Sequence, residues 1–325
     1  MSEQKTAVIS GISGQDGSWL ADLLLEKNYK VYGLKRRNSS NSLGNAEHLK
    51  NKIEIFEGDL TDLSSLVKLV QTARPHEFYN LAAQSDVGIS FKEPIHTLLA
   101  TGLGVVNCLE AIRLSGFHTK FYQASTSELF GGLPETAPQN EQTILCPRSP
   151  YGTAKLYAYH MVKIYRDSYR MFASNGILFN HEGTRRGSHF VTRKITIAAA
   201  KIKLGLQDKL YLGNLDSKRD WGDAEDFVQG MWMMLQHNEP DDFVLATGET
   251  HTIREFCEEA FNCLDLDYKQ FVEIDPRYYR PCEVHLLQGD ATKARRVLGW
   301  ESKTTFKALV QKMVKNDMAI LANKF

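Results

Sequence analysis

The 325-residue sequence has no charge of either sign to spare, with 39 lysines and arginines against 39 aspartates and glutamates. So balanced a chain carries no broad field for nucleic acid or an anionic membrane, and any anion it binds must meet a local cluster. Cysteine is scarce and scattered. The five cysteines (Cys108, Cys146, Cys257, Cys263 and Cys282) are odd in number and form no CxxC pair, which argues against structural zinc and for a reducing compartment. No apolar run approaches the roughly 18 residues that span a bilayer. The first strand-like run lies within the first ten residues, leaving no room for a secretory leader. Internal repeats and low-complexity segments are missing as well. The expectation is a cytoplasmic globular chain, long enough for one large or two ordinary domains.

What is present begins with "VISGISGQDGSWLADLLLEKNYKVYGLKRRN". Ala7, Val8 and Ile9 read as a buried strand, Leu20, Leu23, Leu24 and Tyr29 fall near helical spacing, and residues 31–34 read as a second strand. Between them lie Gly11, Gly14 and Gly17. In a strand–turn–helix–strand context, such glycines let the backbone approach a pyrophosphate that the helix N-terminus then faces. The loop residues Gly11, Ile12, Ser13, Gly14, Gln15 and Asp16 are therefore candidate cofactor contacts. Further strands are expected at residues 53–57, 78–83 and 121–125, and helices at 62–73 and about 96–114. This alternation predicts an α/β fold with a doubly wound parallel (Rossmann) sheet, whose ligands lie beyond the carboxyl ends of the strands. Beyond about Asn180 the pattern loosens into Arg- and Lys-rich loops and short helices at 253–264 and 306–321. Residues 1–180 are read as a dinucleotide-binding domain and 181–325 as mainly a smaller mixed α/β substrate lobe, with chain crossings back to the sheet.

Where NAD binders place an acidic residue about 20 positions past the glycines, this chain has Lys35, Arg36 and Arg37, followed by Ser39. Donors in place of an acceptor suit a 2′-phosphate, because a guanidinium can bind phosphate with two parallel hydrogen bonds. NADP is the expected cofactor, and a solvated basic strand end is the alternative. Tyr151 and Lys155 share one helix face at i, i+4, behind a cap signal of Ser149 and Pro150. A nearby ammonium is expected to lower the phenol from its ordinary value near 10 and make Tyr151 a proton acceptor. In "ASTSELFG", Thr126 can hold a carbonyl oxygen, with Ser125 as a local rival. Glu128, two residues along in an extended segment, shares Thr126's side.

The motifs "GISGQDG", "NLAAQS", "STSELFG" and "SPYGTAK" resemble, in order, the cofactor loop, mid-sheet loop, Ser/Thr segment and Tyr-Lys pair of the extended short-chain dehydrogenase/reductases. The longer blocks "FYQASTSELFG", "PRSPYGTAKLYAY", "LGNLDSKRDWG" and "YYRPCEV" resemble the GDP-mannose 4,6-dehydratase family within them. The resemblance implies a redox-neutral hydro-lyase that uses NADP internally on GDP-mannose, on the way to GDP-6-deoxyhexoses such as GDP-fucose. It makes Thr126, Glu128, Tyr151 and Lys155 the catalytic set. It adds Asp59, Leu60, Leu81, Ala82, Ala83, Gln84, Ser85, His181 and Arg186 to the cofactor contacts, His181 having a purely structural alternative. It assigns Asn180, Val191, Lys194, Arg219, Arg280 and Glu283 to the sugar nucleotide, where the residues alone give only a generic anion patch. His96 stands where the family has a cofactor-contacting tyrosine, and Asp223 where a histidine is common. A homodimer or homotetramer with residues 36–49 at the interface is implied. The rival readings are an epimerase or reductase on the same scaffold, which needs no Glu128, and a non-catalytic NADP sensor, which needs no phenol–base pair.

Overall fold

The computed structural model describes residues 4–37, 42–279 and 282–323. Strands β1 (Thr6–Ser10), β2 (Lys30–Lys35), β3 (Glu54–Glu57), β4 (Glu77–Asn80), β5 (Lys120–Ala124) and β6 (Ala173–Leu178) pair in parallel. Short strands β7 (Asn180–Glu182), β8 (Leu210–Leu212), β9 (Lys218–Arg219) and β10 (Trp221–Asp223) follow, and then β11 (Asp242–Leu245) returns to the main sheet. The sheet order is β11-β6-β5-β4-β1-β2-β3. The chain runs outward from β1 through β2 to β3 and then crosses to β4 on β1's other side. That reversal opens a crevice at the carboxyl ends of β1 and β4, where ligands of doubly wound sheets bind.

The helices in chain order are α1 (Gln15–Glu26), α2 (Leu63–Ala73), α3 (Val87–Lys92), α4 (Pro94–Thr97) and α5 (Gly104–Ser115). They continue as α6 (Pro150–Tyr169), α7 (Val191–Lys203), α8 (Ala224–Gln236), α9 (Ile253–Asn262), α10 (Thr292–Leu298) and α11 (Phe306–Ala322). Because successive strand residues face opposite sides, Ile9, Tyr79 and Tyr122 join one core with Leu20, Leu24 and Met231 of α1 and α8. Val8, Phe78 and Phe121 join a second core with Leu66, Leu109 and Val162 of α2, α5 and α6. Burial on both faces explains why the strands read as near-continuous apolar runs. A third core (Ile195, Phe256, Phe261, Met313) ties α7, α9 and α11 together.

Two expectations need correction. β4 stops at Asn80 and does not reach Ala83, because the Leu81 and Ala82 amides donate to the Ser10 hydroxyl at 3.0 and 3.1 Å and leave the ladder. The helix expected near 96–114 is a continuous element over Pro94–Ser115 with a π-helical turn at Leu98–Leu103. Its 22 residues, with a window of mean hydropathy 1.5, are long and apolar enough to cross a membrane, contrary to the sequence expectation. Half of that window is buried in the protein, as in a core helix, while Ile95, Leu98, Leu99 and Leu103 are exposed. Scattered threonines and asparagine interrupt the segment and hide its overall hydropathy from a search for unbroken runs.

Candidate active site

A cleft of about 1060 Å³ lies over the switch point, walled on one side by the sheet ends and on the other by segments from the carboxyl-terminal half. Gly11 leaves β1 at φ +73°, and a methyl there would sit 2.9 Å from the Ala82 nitrogen. A methyl on Gly17 would come within 2.2 Å of the Gly11 carbonyl, so helix and turn close only over glycine. Gly14 is exposed and caps α1 without any side chain, and a methyl there would touch only the Gly11 oxygen, at 3.2 Å. The free amides of α1's first turn thus open on the cleft, a ready place for a phosphate. Ser13, Gln15 and Asp16 border the cleft, as do Leu81, Ala82, Ala83 and Ser85 across the switch point.

Asp16 is clamped. Its Oδ2 lies 2.9 Å from His181 Nε2, and Oδ1 accepts from Gln15 Nε2 at 2.9 Å. Burial pushes the Asp16 carboxyl up, but His181, Gln15 and Arg186 outweigh it and hold it at about 2. Burial pushes the His181 imidazole down, yet Asp16 and the Phe179 carbonyl leave it raised above its ordinary value. With Nδ1 on that carbonyl at 2.8 Å, both His181 nitrogens are engaged by the protein, and the ring stacks on Phe227. The residue nevertheless borders the cleft, so these contacts are compatible with both the structural and the cofactor-side reading.

β5 delivers the reactive groups. Ser149 caps α6 by accepting from the Gly152 amide at 3.0 Å, and Pro150 is its first residue, so Tyr151 and Lys155 project one turn apart. Lys155 Nζ donates to the Ala124 carbonyl at 2.6 Å. The segment after Thr126 is not extended as expected. Ser127–Phe130 forms a 3₁₀ turn capped by Thr126, whose Oγ1 accepts from the Glu128 amide at 3.2 Å. The same threonine hydroxyl acts on the Tyr151 phenol and lowers it. A methyl on Gly152 would stand 3.0 Å from the Glu128 carbonyl, so glycine lets α6 press directly on the turn that carries Glu128. Thr126, Glu128, Tyr151 and Lys155 are all buried and all border the cleft.

The electrostatics differ from the sequence expectation. Lys155 Nζ is 5.8 Å from the centre of the Tyr151 ring and does not lower its phenol. Burial pushes the Tyr151 phenol up, Thr126 pulls it down, and the Glu128 carboxylate raises it again, to about 12. Burial drives the Lys155 ammonium down to about 8, with Asp16 opposing.

The opposite wall is built from β7 and β10, which pair Asn180 with Trp221 and Glu182 with Asp223. Arg186 pairs with Glu182 at 2.9 Å and lies 3.6 Å from the centre of the Phe190 ring. Lys194 Nζ donates to the Tyr211 carbonyl at 2.7 Å and sits 3.8 Å over the Tyr278 ring. Arg219, 8% exposed, donates to the Lys218 carbonyl. Beside it Asp220 accepts from Thr247 N, Thr247 Oγ1, Gly248 N and Gly289 N, which pins this strand. Val191 and Glu283 complete the wall.

Residues 8–313 match the family described as GDP-mannose 4,6 dehydratase. The GDP-mannose 4,6-dehydratase of Sinorhizobium fredii (strain HH103) is 50% identical, over 99% of this chain and 99% of its own. The human GDP-mannose 4,6 dehydratase is 48% identical, over 98% of this chain and 92% of its own.

This chain belongs to the GDP-mannose 4,6-dehydratase family.

Solved structures agree on the fold. A Thermus thermophilus UDP-glucose 4-epimerase in complex with NAD superposes with a TM-score of 0.85 at 26% identity, covering 96% of this chain and 98% of that one. A Bacillus anthracis dTDP-glucose 4,6-dehydratase in complex with NAD gives 0.83 at 22% identity, with 96% of each chain covered.

Not every residue that the sequence and its resemblance to the dehydratases suggested lies on the cleft. Ile12 is fully buried in the core beneath β2, where a methyl on Gly33 would meet it at 2.7 Å, so only its backbone faces the loop. Gln84 folds its side chain back on the Asp86 backbone. Asp59 caps its own turn through Thr61, and Leu60 is buried in the second core. Arg36 and Arg37 are exposed at the end of β2, while Ser39 and Arg280 lie outside the described residues. His96 is exposed on α4 and is not among the cleft residues. Asp223 caps α8 and pairs with Lys312 at 2.7 Å, a charge partner that a neutral histidine would not require.

Sequence reasoning named Ser125 only as a rival to Thr126 and missed Ser217. Ser125 Oγ and Ser217 Oγ are buried, border the cleft and have no hydrogen-bond partner among the described residues. The Gln15 Oε1 acceptor is in the same condition. Ser217 sits inside the quoted block "LGNLDSKRDWG", but nothing in a lone serine between Asp216 and Lys218 announces burial.

Proposed function

We propose that this protein converts GDP-mannose to GDP-4-keto-6-deoxy-mannose by eliminating water, with NADP as the resident cofactor. The reading is carried by the convergence of Thr126, Glu128, Tyr151 and Lys155 on one wall, where the Thr126 hydroxyl caps the turn that carries the carboxylate. A nicotinamide dinucleotide suits the residues present. The α1 amides open over Gly14, and buried Gln15 Oε1 and Ser125 Oγ await partners that a ligand can supply. When bound, the nicotinamide supplies a hydride acceptor for C4 of the sugar and a hydride donor for C6. Arg36 and Arg37, exposed at the end of β2, carry guanidinium donors of the kind that suit a 2′-phosphate, which supports NADP over NAD.

The protein's own part is proton handling. To take the C4 hydroxyl proton, Tyr151 must first be the phenolate, a form that the positive charge of a bound nicotinamide would favour over the neutral phenol. Thr126 meanwhile holds the oxygen that becomes the ketone. The ketone acidifies C5–H, and Glu128 removes that proton and protonates the departing C6 hydroxyl. Lys155, fixed on the Ala124 carbonyl, holds position and positive charge beside the dinucleotide. Asn180, Val191, Lys194, Arg219 and Glu283, together with Arg280, form the sugar-nucleotide grip, with cations opposing the diphosphate. We also infer a homodimer or homotetramer in which residues 36–49 reach a neighbouring copy. Light scattering at micromolar concentration tests this, and a monomer refutes it.

The deciding experiment is mass spectrometry of GDP-mannose incubated with purified protein, without and with excess NADPH. Loss of one water without reductant supports the dehydratase. An unchanged sugar nucleotide in both tubes, with cofactor shown to be bound, contradicts it.

A further inference from the structure

Residues 183–186 carry Arg185 and Arg186 on the cleft wall. The turn makes one bond of its own, from the Arg186 amide to the Gly183 carbonyl at 3.1 Å. Otherwise it is held from outside. Arg193 Nη1 donates to the Thr184 carbonyl and, at 3.2 Å, to the Arg186 carbonyl. Asn45 Nδ2 donates to the Arg185 carbonyl at 2.8 Å. With three consecutive carbonyls fixed, the two side chains take defined stations: Arg186 on Phe190 and Glu182, Arg185 on Trp19 and Asp22.

Arg193 is 9% exposed, and a charge so buried persists only with a partner. Asp317 of α11 is that partner. Its two oxygens accept from Arg193 Nε at 2.9 and 3.0 Å, and Oδ1 lies 2.7 Å from Nη2. Thr196 Oγ1 adds a donor to Oδ2 at 2.7 Å. The same helix reaches the other flank of the turn. Lys312 pairs with Asp223, whose Oδ1 would lie 3.9 Å from a methyl on Gly183. Neither Arg193 nor Asp317 is among the cleft residues.

We infer that Arg193 and Asp317 are positioning residues for the dinucleotide: through them α11 fixes the turn that presents Arg186 to the cofactor. The inference rests on the dinucleotide reading given above. Because the pair stands one layer behind the cleft wall, it acts on cofactor affinity and not on turnover.

The test compares the full-length wild type with Arg193→Lys and Asp317→Asn. Lysine keeps the charge but cannot serve both carboxylate oxygens and both carbonyls at once. Asparagine keeps the shape and removes the charge. Dissociation constants for NADP and NAD, that for GDP-mannose, kcat at saturating dinucleotide and Tm are measured well below the melting range. Both variants are expected to raise the dinucleotide Kd about tenfold, as loss of a supporting shell does elsewhere, with GDP-mannose affinity and kcat within about twofold. A fall in Tm with unchanged dinucleotide Kd, or parallel loss of both ligands, overturns the inference and leaves a fold staple. Thr196→Val removes a single bond to Asp317 and serves if Asp317→Asn does not fold. It is expected to raise the same Kd by about threefold, and an unchanged value counts against the proposal. A wild type that binds neither dinucleotide sinks the cofactor reading itself before any variant is compared, and the inference with it.

Discussion

The two walls of the cleft handle charge by opposite means. On the sheet wall, Lys155 bonds a backbone carbonyl and Tyr151 is influenced by the Thr126 hydroxyl, and burial moves both away from their ordinary values. On the other wall, Arg186 faces Glu182, and behind it Arg193 faces Asp317 and Lys312 faces Asp223, each within 2.9 Å. An ion pair would lock one protonation state, so in the proposed mechanism the Tyr151 phenol faces a neutral hydroxyl in place of a paired counter-ion. Groups that must stay charged and still are given one. Asp16 with His181 lies at the junction and follows the second rule, although it sits in the cofactor loop.

Breaking the sheet wall costs most. Glu128→Gln is expected to lower dehydration by about a thousandfold or more, the upper part of the range for loss of a general acid–base group, while NADP still binds. Near-normal product formation in that variant would remove Glu128 from the mechanism. Tyr151→Phe is expected to lower kcat by about a hundredfold to a thousandfold with little change in the KM for GDP-mannose, since the phenol acts on the reacting hydroxyl. A rise in KM alone would make Tyr151 a binding residue.

Smaller effects sharpen the contrast on the side of fixed charge. Replacing Arg36 and Arg37 together by alanine is expected to cut the preference for NADP over NAD by about ten- to a hundredfold, each lost charge-assisted bond contributing roughly 1.5–3 kcal/mol before solvent screening of these exposed groups. An unchanged ratio would leave them a solvated strand end. The smallest effect concerns pH. Asp16, held at about 2 against an ordinary 3.8, contributes stability that is present above 3.8 and lost as pH falls toward 2. His181, raised above 6.5, contributes stability that is present below 6.5 and lost as pH rises through its shifted value. The Tm gap between wild type and His181→Gln should therefore be widest between about pH 4 and 6.5 and narrow on either side. A gap that does not vary with pH would show the ring acting only through its stacking on Phe227.

The main sheet was legible because it obeys local rules. Short apolar runs and glycine spacing located β1, α1 and β2, although Tyr29, read with the helix, lies beyond its end at Glu26. Ser149–Pro150 marked the start of α6. The meeting of Thr126, Glu128, Tyr151 and Lys155 at one cleft was legible because they lie in two short segments whose resemblance to the family could be read directly. Two things were not. The 3₁₀ turn at Ser127–Phe130 depends on Thr126 capping it and on Gly152 closing over it from 24 positions away in the chain, so Glu128 could be named while its route to the site could not. The raised Tyr151 phenol depends on burial and on Glu128, neither of which YxxxK spacing encodes. On the other wall, Arg193 reads in sequence as one more cation of a basic loop. Only its long-range meeting with Asp317 distinguishes it from Lys194 beside it.

The central claim is that one bound cofactor takes a hydride from C4 and returns it to C6 while the sheet wall moves the protons. GDP-mannose carrying deuterium at C4, incubated with the protein and unlabelled NADP in ordinary water, tests it most directly. The account predicts a 4-keto-6-deoxy product that has lost one water and carries the deuterium on C6. Product without deuterium at C6, or label found in free NADPH, would contradict it.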